Sequence, residues 1–291
     1  MVAEIVQYPI VIGDIHTRVL EAGAGDRVLL FLHGLGARAD RWRRNLLPMA
    51  AQGYRCIAID LPGHGLAGKG TDIPATVPAL ADFTARAAEA MQVRDVVLVG
   101  TSLGGHILGQ LALNSLEAVV APETPSLRPK GLMLIGSLGL FALEPAVAAA
   151  ICRSVQETTP DAIRRKVAFV MKIQDGITPG WLREECLINN SVGARESFER
   201  LGAYLVDQPA SDIIGTRLAA SSSHLPLSLV WGALDEAVPV RIGQDAHHLL
   251  GLPEPLLIEG AGHAPYWECA DRFNPLLTAF AGSCFDSAGR A

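Results

Sequence analysis

The chain has 291 residues, of which 49% are hydrophobic and 19% charged, and its formal net charge is −6. That length allows one large α/β domain or one domain with an insertion, and the acidic balance gives no reason to expect nucleic acid or an anionic membrane as partner. No apolar run approaches the roughly 20 residues that cross a bilayer, Met1 to Ile5 show no basic stretch leading an apolar one, and the scattered cysteines (56, 152, 186, 269, 284) form neither C-x-x-C nor a Cys/His cluster. A reduced, cytoplasmic protein without a zinc site, a disulfide framework or a cofactor is the expectation, with a small molecule as its partner.

In chain order, the segment through Glu21 is predicted to form an antiparallel hairpin at a sheet edge. Short apolar runs at 28–32, 55–60, 96–99, 132–135, 227–231 and 255–258 are predicted strands, and 41–52, 77–92 and 103–116 predicted helices. Strands apolar on both faces suit a parallel sheet covered by helices. Their alternation with helices predicts an α/β fold with a mostly parallel, doubly wound sheet. Residues 141–214 break the rhythm: 145–155 and 161–171 look helical and no convincing strand is found. They are expected to form a helical lid inserted over the carboxyl edge of the sheet. The core is then 1–140 and 215–285, with a short polar tail at 286–291; 121–129 reads as a Pro-rich loop before a core strand. A homodimer through an edge strand or the lid is compatible with this layout.

Chemistry concentrates in loops after the strands. Gly100-Thr101-Ser102-Leu103-Gly104 lies between the run Val96–Val99 and a helical pattern, which is the strand–turn–helix context that gives G-x-S-x-G its meaning. Ser102 would be the nucleophile, and a serine hydroxyl needs a base within reach and a group to orient that base. His263, in the Gly-rich loop after 256–258, is the candidate base. Asp235, after 227–231, is the candidate acid, with Glu236 as the alternative. The order serine, acid, histidine suits this arrangement. The backbone N–H groups of Leu103 and of Leu35, in His33-Gly34-Leu35-Gly36, are expected to form an oxyanion hole. His33 itself reads as structural, and Asp60 to Gly65 as a rigid turn with a satisfied aspartate rather than a metal site.

These residues together resemble the α/β-hydrolase superfamily over nearly the whole chain: His33-Gly34, Asp60-Leu61-Pro62-Gly63-His64-Gly65, Thr101-Ser102-Leu103-Gly104-Gly105, Trp231-Gly232 with Asp235, and Gly262-His263. Within it the chain is most similar to the meta-cleavage-product (C–C bond) hydrolases, through Gly262-His263, Tyr266-Trp267-Glu268, Ala270 to Asn274, and the lid run Glu185 to Asn190. It also departs from them. The tryptophan that follows their catalytic histidine is Ala264, and the asparagine that precedes the nucleophile in many members is Thr101. Where an asparagine follows the oxyanion-loop tryptophan, Arg43 and Arg44 follow Trp42. Their substrate-gripping lid arginine aligns with Cys186 or Leu187.

The resemblance therefore carries the machinery over and leaves the substrate open. The expected activity is a cofactor-free serine hydrolysis of a small, largely apolar carboxylic ester or lactone. C–C cleavage of a dienol diketone and a non-catalytic ligand-binding module on the same fold are the alternatives. Arg44, Phe141, Trp181 and Trp267 are the candidate substrate contacts, Phe169 and Met171 further candidates for the pocket wall. A cation above Ser102, such as Arg44 or Arg195, would favour the acidic dienol substrate.

Overall fold

The computed structural model describes residues 4–118, 127–221 and 224–287; most of the Pro-rich loop and the end of the expected tail lie outside them. The chain opens with the predicted hairpin, β1 (Ile5–Ile12) antiparallel to β2 (Ile15–Ala22). Six further strands follow: β3 (Val28–Leu32), β4 (Arg55–Ile59), β5 (Asp95–Thr101), β6 (Arg128–Ile135), β7 (Leu227–Gly232) and β8 (Leu256–Ile258). They complete one sheet in the order β1-β2-β4-β3-β5-β6-β7-β8. Pairing is parallel from β4 onward through β3 to β8 and antiparallel only at β1–β2 and β2–β4.

All five residues of β3 are buried, and their alternation feeds two layers. Leu30 and Leu32 join the core under α2 (Val77–Ala90) and α3 (Leu103–Ala118). Leu29 and Phe31 join Trp42 and Leu46, the latter in α1 (Arg43–Ala50). The predicted helix 41–52 is in fact a 3₁₀ turn, Ala39–Trp42, followed by α1. That turn is fixed because the Ala39 N–H donates to Asp60 Oδ1 at 2.7 Å.

After β6 the insertion carries four α-helices: α4 (Pro145–Gln156), α5 (Pro160–Val170), α6 (Pro179–Asn189) and α7 (Ala194–Val206). Thr159 and Thr178 cap α5 and α6, their hydroxyls accepting from the Ala162 and Trp181 N–H groups, and a proline follows each. Such caps are worth about 1 kcal/mol each. The two ends of this insertion are neighbours, since the Ile214 N–H donates to Gly139 O at 2.8 Å. α8 (Gly215–Ser221), α9 (Val240–Leu250), α10 (Pro265–Glu268) and α11 (Ala270–Ser287) complete the fold. The expected break at 286 is absent. Phe273, Leu277, Ala281 and Cys284 recur on one face and bury against the sheet, so α11 continues to Ser287. Among the described residues no helix is long and apolar enough to cross a membrane.

The strand order positions the site. From β3 the chain steps outward to β4, then returns past β3 to β5. The crevice at the carboxyl ends of β3 and β5 is therefore a topological switch point, where open α/β sheets bind ligands. The loop of Gly34 and Leu35 and the turn of Ser102 both open into it.

Candidate active site

Ser102 sits at φ 53°, one of two non-glycine residues with positive φ among those described. Such a backbone costs roughly 1–3 kcal/mol and persists only where its surroundings fix it. Here the Ser102 N–H donates to Ile135 O at 3.0 Å, and its carbonyl accepts from the N–H groups of His106 and Leu138, each at 3.2 Å. The flanking glycines are demanded by close approach. A Cβ on Gly100 would lie 2.6 Å from Gly104 O, and one on Gly104 2.5 Å from the carbonyl oxygens of Leu32 and His33. The serine is thereby raised over the N-terminus of α3, which Leu103 opens.

The turn after β7 brings Asp235 to 2.7 Å from His263, its Oδ2 accepting from Nδ1. The other oxygen, Oδ1, accepts the Ala237 and Val238 N–H groups, both at 2.9 Å. With Nδ1 donating, a neutral His263 ring keeps Nε2 as its acceptor. Glu236, which borders the same cavity, pairs instead with Lys172 Nζ at 3.0 Å, so of the two acids it is Asp235 that meets the His263 ring. Gly136, at the end of β6, makes room for the pair: a Cβ there would stand 2.9 Å from Asp235 Oδ2 and 3.0 Å from His263 Nδ1.

The histidine loop is itself clamped. The buried Glu268 carboxylate accepts from the N–H groups of Gly262 and Ala264, on either side of His263, at 3.0 and 3.1 Å. It also accepts from Lys172 and Ile173, at 2.6 and 2.9 Å, just beyond α5. The His263 N–H donates to Val170 O at 2.8 Å. One carboxylate thus ties the histidine loop to the inserted helices. Sequence reasoning placed Glu268 only inside a family motif and missed this role.

Ser102, His263, Gly34 and Leu35 border one cavity of about 580 Å³. Leu103 is buried behind it and borders it with no side chain. Its roof comes from α4, α5 and α6, with Val147, Ile151, Val155, Val167, Phe169 and Met171 among its apolar walls. Polar side chains interrupt them, among them Arg41, Ser154, Lys166, Glu185, Asn189 and Glu236. Arg41 stacks on Trp181, 4.3 Å from its ring centroid, and lies 3.8 Å from Glu185 Oε1. Lys166 has no hydrogen-bond or ion-pair partner among the described residues, and burial holds its amine below the usual lysine pKa.

The four residues expected to touch substrate lie elsewhere. Arg44 donates to Trp267 O at 3.1 Å and to Asp175 Oδ2 at 2.9 Å, and its guanidinium covers the Trp267 ring at 4.6 Å. That stacking buries Trp267 outside the cavity, and Arg41 occupies Trp181 in the same way. Phe141 packs on the core under α2 and α3 instead. Arg195 is exposed on α7 and pairs with Glu199 at 2.8 Å. Of the further wall candidates, Phe169 and Met171 do border the cavity. The cations on it are Arg41 and Lys166; on a sequence, a lysine inside a helix looks like a solvated face.

The remaining histidines and acids of the strand-end loops serve the backbone. His33 Nδ1 donates to Gly34 O at 2.8 Å and Nε2 accepts the Leu61 N–H at 3.0 Å. Burial lowers its pKa and keeps it neutral. Asp60 accepts from Arg18 Nε at 2.9 Å and from the Leu66 N–H at 2.8 Å.

Similarity to known proteins extends over most of the chain. The chain is 29% identical over 93% of its length, and 68% of the other's, to the dihydrolipoyllysine-residue acetyltransferase component of an acetoin cleaving system from Cupriavidus necator. It is 27% identical over 89% of its length, and 88% of the other's, to a 2-hydroxy-6-oxononadienedioate/2-hydroxy-6-oxononatrienedioate hydrolase of Escherichia coli. Its fold matches that of 2-hydroxy-6-oxo-6-phenylhexa-2,4-dienoate hydrolase from Rhodococcus sp. strain RHA1 with a TM-score of 0.77, at 21% identity, covering 96% of this chain and 99% of that one. The profile described as the alpha/beta hydrolase family matches residues 29–276, most of both core parts and all of the insertion, and the chain belongs to that family.

Proposed function

We propose that this chain is a serine hydrolase that cleaves a small, largely apolar carboxylic ester or lactone through an acyl-enzyme. The observation that carries this reading is a strained, backbone-held Ser102 bordering the same cavity as His263, whose ring is bonded to Asp235. Ser102 Oγ attacks the carbonyl carbon while His263 Nε2 takes its proton. Asp235 holds the ring and stabilises the imidazolium. The N–H groups of Leu35 and Leu103 hold the oxyanion, the second reinforced by the N-terminus of α3. His263 then protonates the leaving oxygen. Water, deprotonated by the same ring, attacks the acyl carbon, and Ser102 regains its proton as the acid leaves. The helices α4 to α7 act as a lid that supplies the apolar wall, and the unpaired cysteines suit a reducing, cytoplasmic setting.

The test is Ser102→Ala assayed on short-chain p-nitrophenyl esters. The variant is expected to lose about 10⁴-fold or more in kcat; a variant that keeps its rate would sink the mechanism. An intact protein that a fluorophosphonate probe fails to label would point to a binding module instead.

A second reading, C–C hydrolysis of a dienol diketone, is favoured by a specific observation. Arg41 and Lys166 put cations on the cavity, and the Escherichia coli relative bears the name of a hydrolase for an acidic dienol substrate. Spectrophotometric turnover of a ring-fission product against that of the esters separates the two.

A further inference from the structure

The inserted helices pair as α4 on α7 and α5 on α6. Between α4 and α5 the outer face carries a groove of about 300 Å³. Ala150, Ser154, Lys166 and Phe169 border both this groove and the cavity over Ser102. Those four side chains are the partition between solvent and the nucleophile's chamber. Ala150 and Ser154 are i, i+4 on one face of α4, and Lys166 and Phe169 are i, i+3 on the opposing face of α5. One side of the partition is therefore small, and the other consists of two long side chains with rotamers to spare. Turning Lys166 and Phe169 aside would join the two spaces without moving a helix.

On the groove the charge is one-sided, while the cavity it leads to carries Glu185 and Glu236 beside Arg41 and Lys166. The groove adds Arg153 and Arg165 to Lys166, against the single carboxylate of Glu157. Arg165 lies 3.7 Å from Glu157, while Arg153 has no ion-pair partner among the described residues. Lys166 stands between Glu157 on the groove and Glu185 on the cavity, bonded to neither. On the cavity side Arg41 already has Glu185 and Trp181.

Ester, lactone and C–C hydrolysis all end in a carboxylic acid. Water supplies the hydroxyl that completes it, the leaving group takes the proton relayed by His263, and the acid ionises to a carboxylate and a free proton. A carboxylate in an apolar chamber is poorly solvated and needs a partner. We propose that the α4–α5 groove is a second portal to the catalytic cavity and that Lys166, with Arg153 beyond it, binds the carboxylate product on its way out. This rests on the hydrolase reading above.

The experiment uses p-nitrophenyl butyrate and butyrate. The burst of p-nitrophenol reports acylation, and the steady state reports a full cycle including release of the acid. Ser154→Trp, which fills the doorway, is expected to lower the steady-state rate at least about fivefold relative to the burst rate. Lys166→Met is expected to weaken butyrate inhibition on the order of tenfold, the usual scale for losing a partly desolvated charge partner, and Lys166→Arg to restore it. A Ser154→Trp protein with the wild-type ratio, or a Lys166→Met protein with the wild-type inhibition constant, would overturn the portal. Ala150→Phe replaces Ser154→Trp if melting curves show that the latter does not fold. Calorimetric binding of butyrate to Ser102→Ala, with and without Lys166→Met, reads the carboxylate site in the absence of turnover. A wild-type protein that turns over no ester counts against the ester reading, while the calorimetry still decides the carboxylate site.

Discussion

Around Ser102 the fixing contacts are main-chain. Ile135, His106 and Leu138 hold its backbone; the His263 loop depends in addition on one side chain, Glu268, which accepts its Gly262 and Ala264 N–H groups. In the inserted helices the fixing contacts run between side chains. Arg38 Nε and Nη2 donate to Glu185 and Glu184 at 3.0 and 2.9 Å, and Arg41 rests on Trp181. Main-chain contacts survive most substitutions nearby, whereas a side-chain latch is lost with one residue. The difference implies that the Ser102 turn is insulated from changes in the shape of the chamber above it, whereas the His263 loop, bonded to Val170 and through Glu268 to Lys172 and Ile173, is coupled to them.

The sharpest way to break that contrast is Arg38→Met. It leaves Glu185, which is 3% exposed, with the looser contact of Arg41 at 3.8 Å, and removing one partner of a buried pair costs up to about 3–5 kcal/mol. Unfolding by urea should show that loss, while fluorophosphonate labelling of the still-folded protein stays within about threefold of wild type. Labelling that falls with stability would mean that the latch also sets the oxyanion loop. Glu268→Gln tests the other side. The amide replaces an acceptor oxygen with a donor facing backbone N–H groups, at a cost of about 2–3 kcal/mol. If the carboxylate positions His263, kcat should fall about 100-fold with KM little changed; a lowered melting temperature with kcat intact would reduce it to a structural brace. Per unit of pH, the smallest effect comes from a buried histidine. Burial pushes the His64 pKa from the ordinary 6.5 down to about 3, so below 6.5 the unfolded chain binds a proton that the folded one refuses. Stability should therefore drop as pH falls from 6.5 toward 3, by up to about 1.4 kcal/mol per unit from this ring. His64→Phe should flatten that slope in thermal melts taken across the range; an unchanged slope would exclude His64 as its source.

The sheet was legible because its strands are apolar on both faces, and its loops because each chemical residue follows a strand. That Ser102, Asp235 and His263 stand at strand-end loops could be read from position alone. The contacts of Glu268 could not, since half its donors are the backbone of Lys172 and Ile173, almost 100 residues away and without a sequence signature. Arg44 misled through proximity to the oxyanion loop: it lies only three residues past Arg41, yet a stack on Trp267 turns it away from the cavity. Phe141 and Trp181 were misread for a related reason. Hydrophobicity shows that an aromatic will be buried, and leaves open against which surface.

The bond from Ile214 to Gly139 closes the insertion at its base, and Gly215 comes so near that a Cβ on it would lie 2.1 Å from Leu140 O. Chain leaves and rejoins the sheet at one point, as a detachable cassette would. Recombination could exchange the helices between those anchors for another helical module and so alter what the cavity accepts, while Ser102 and Asp235 stay with the core. A transplant of this kind should demand glycine at 215 and, from the incoming module, a carbonyl for the His263 N–H and N–H groups for Glu268, the places Val170, Lys172 and Ile173 now fill.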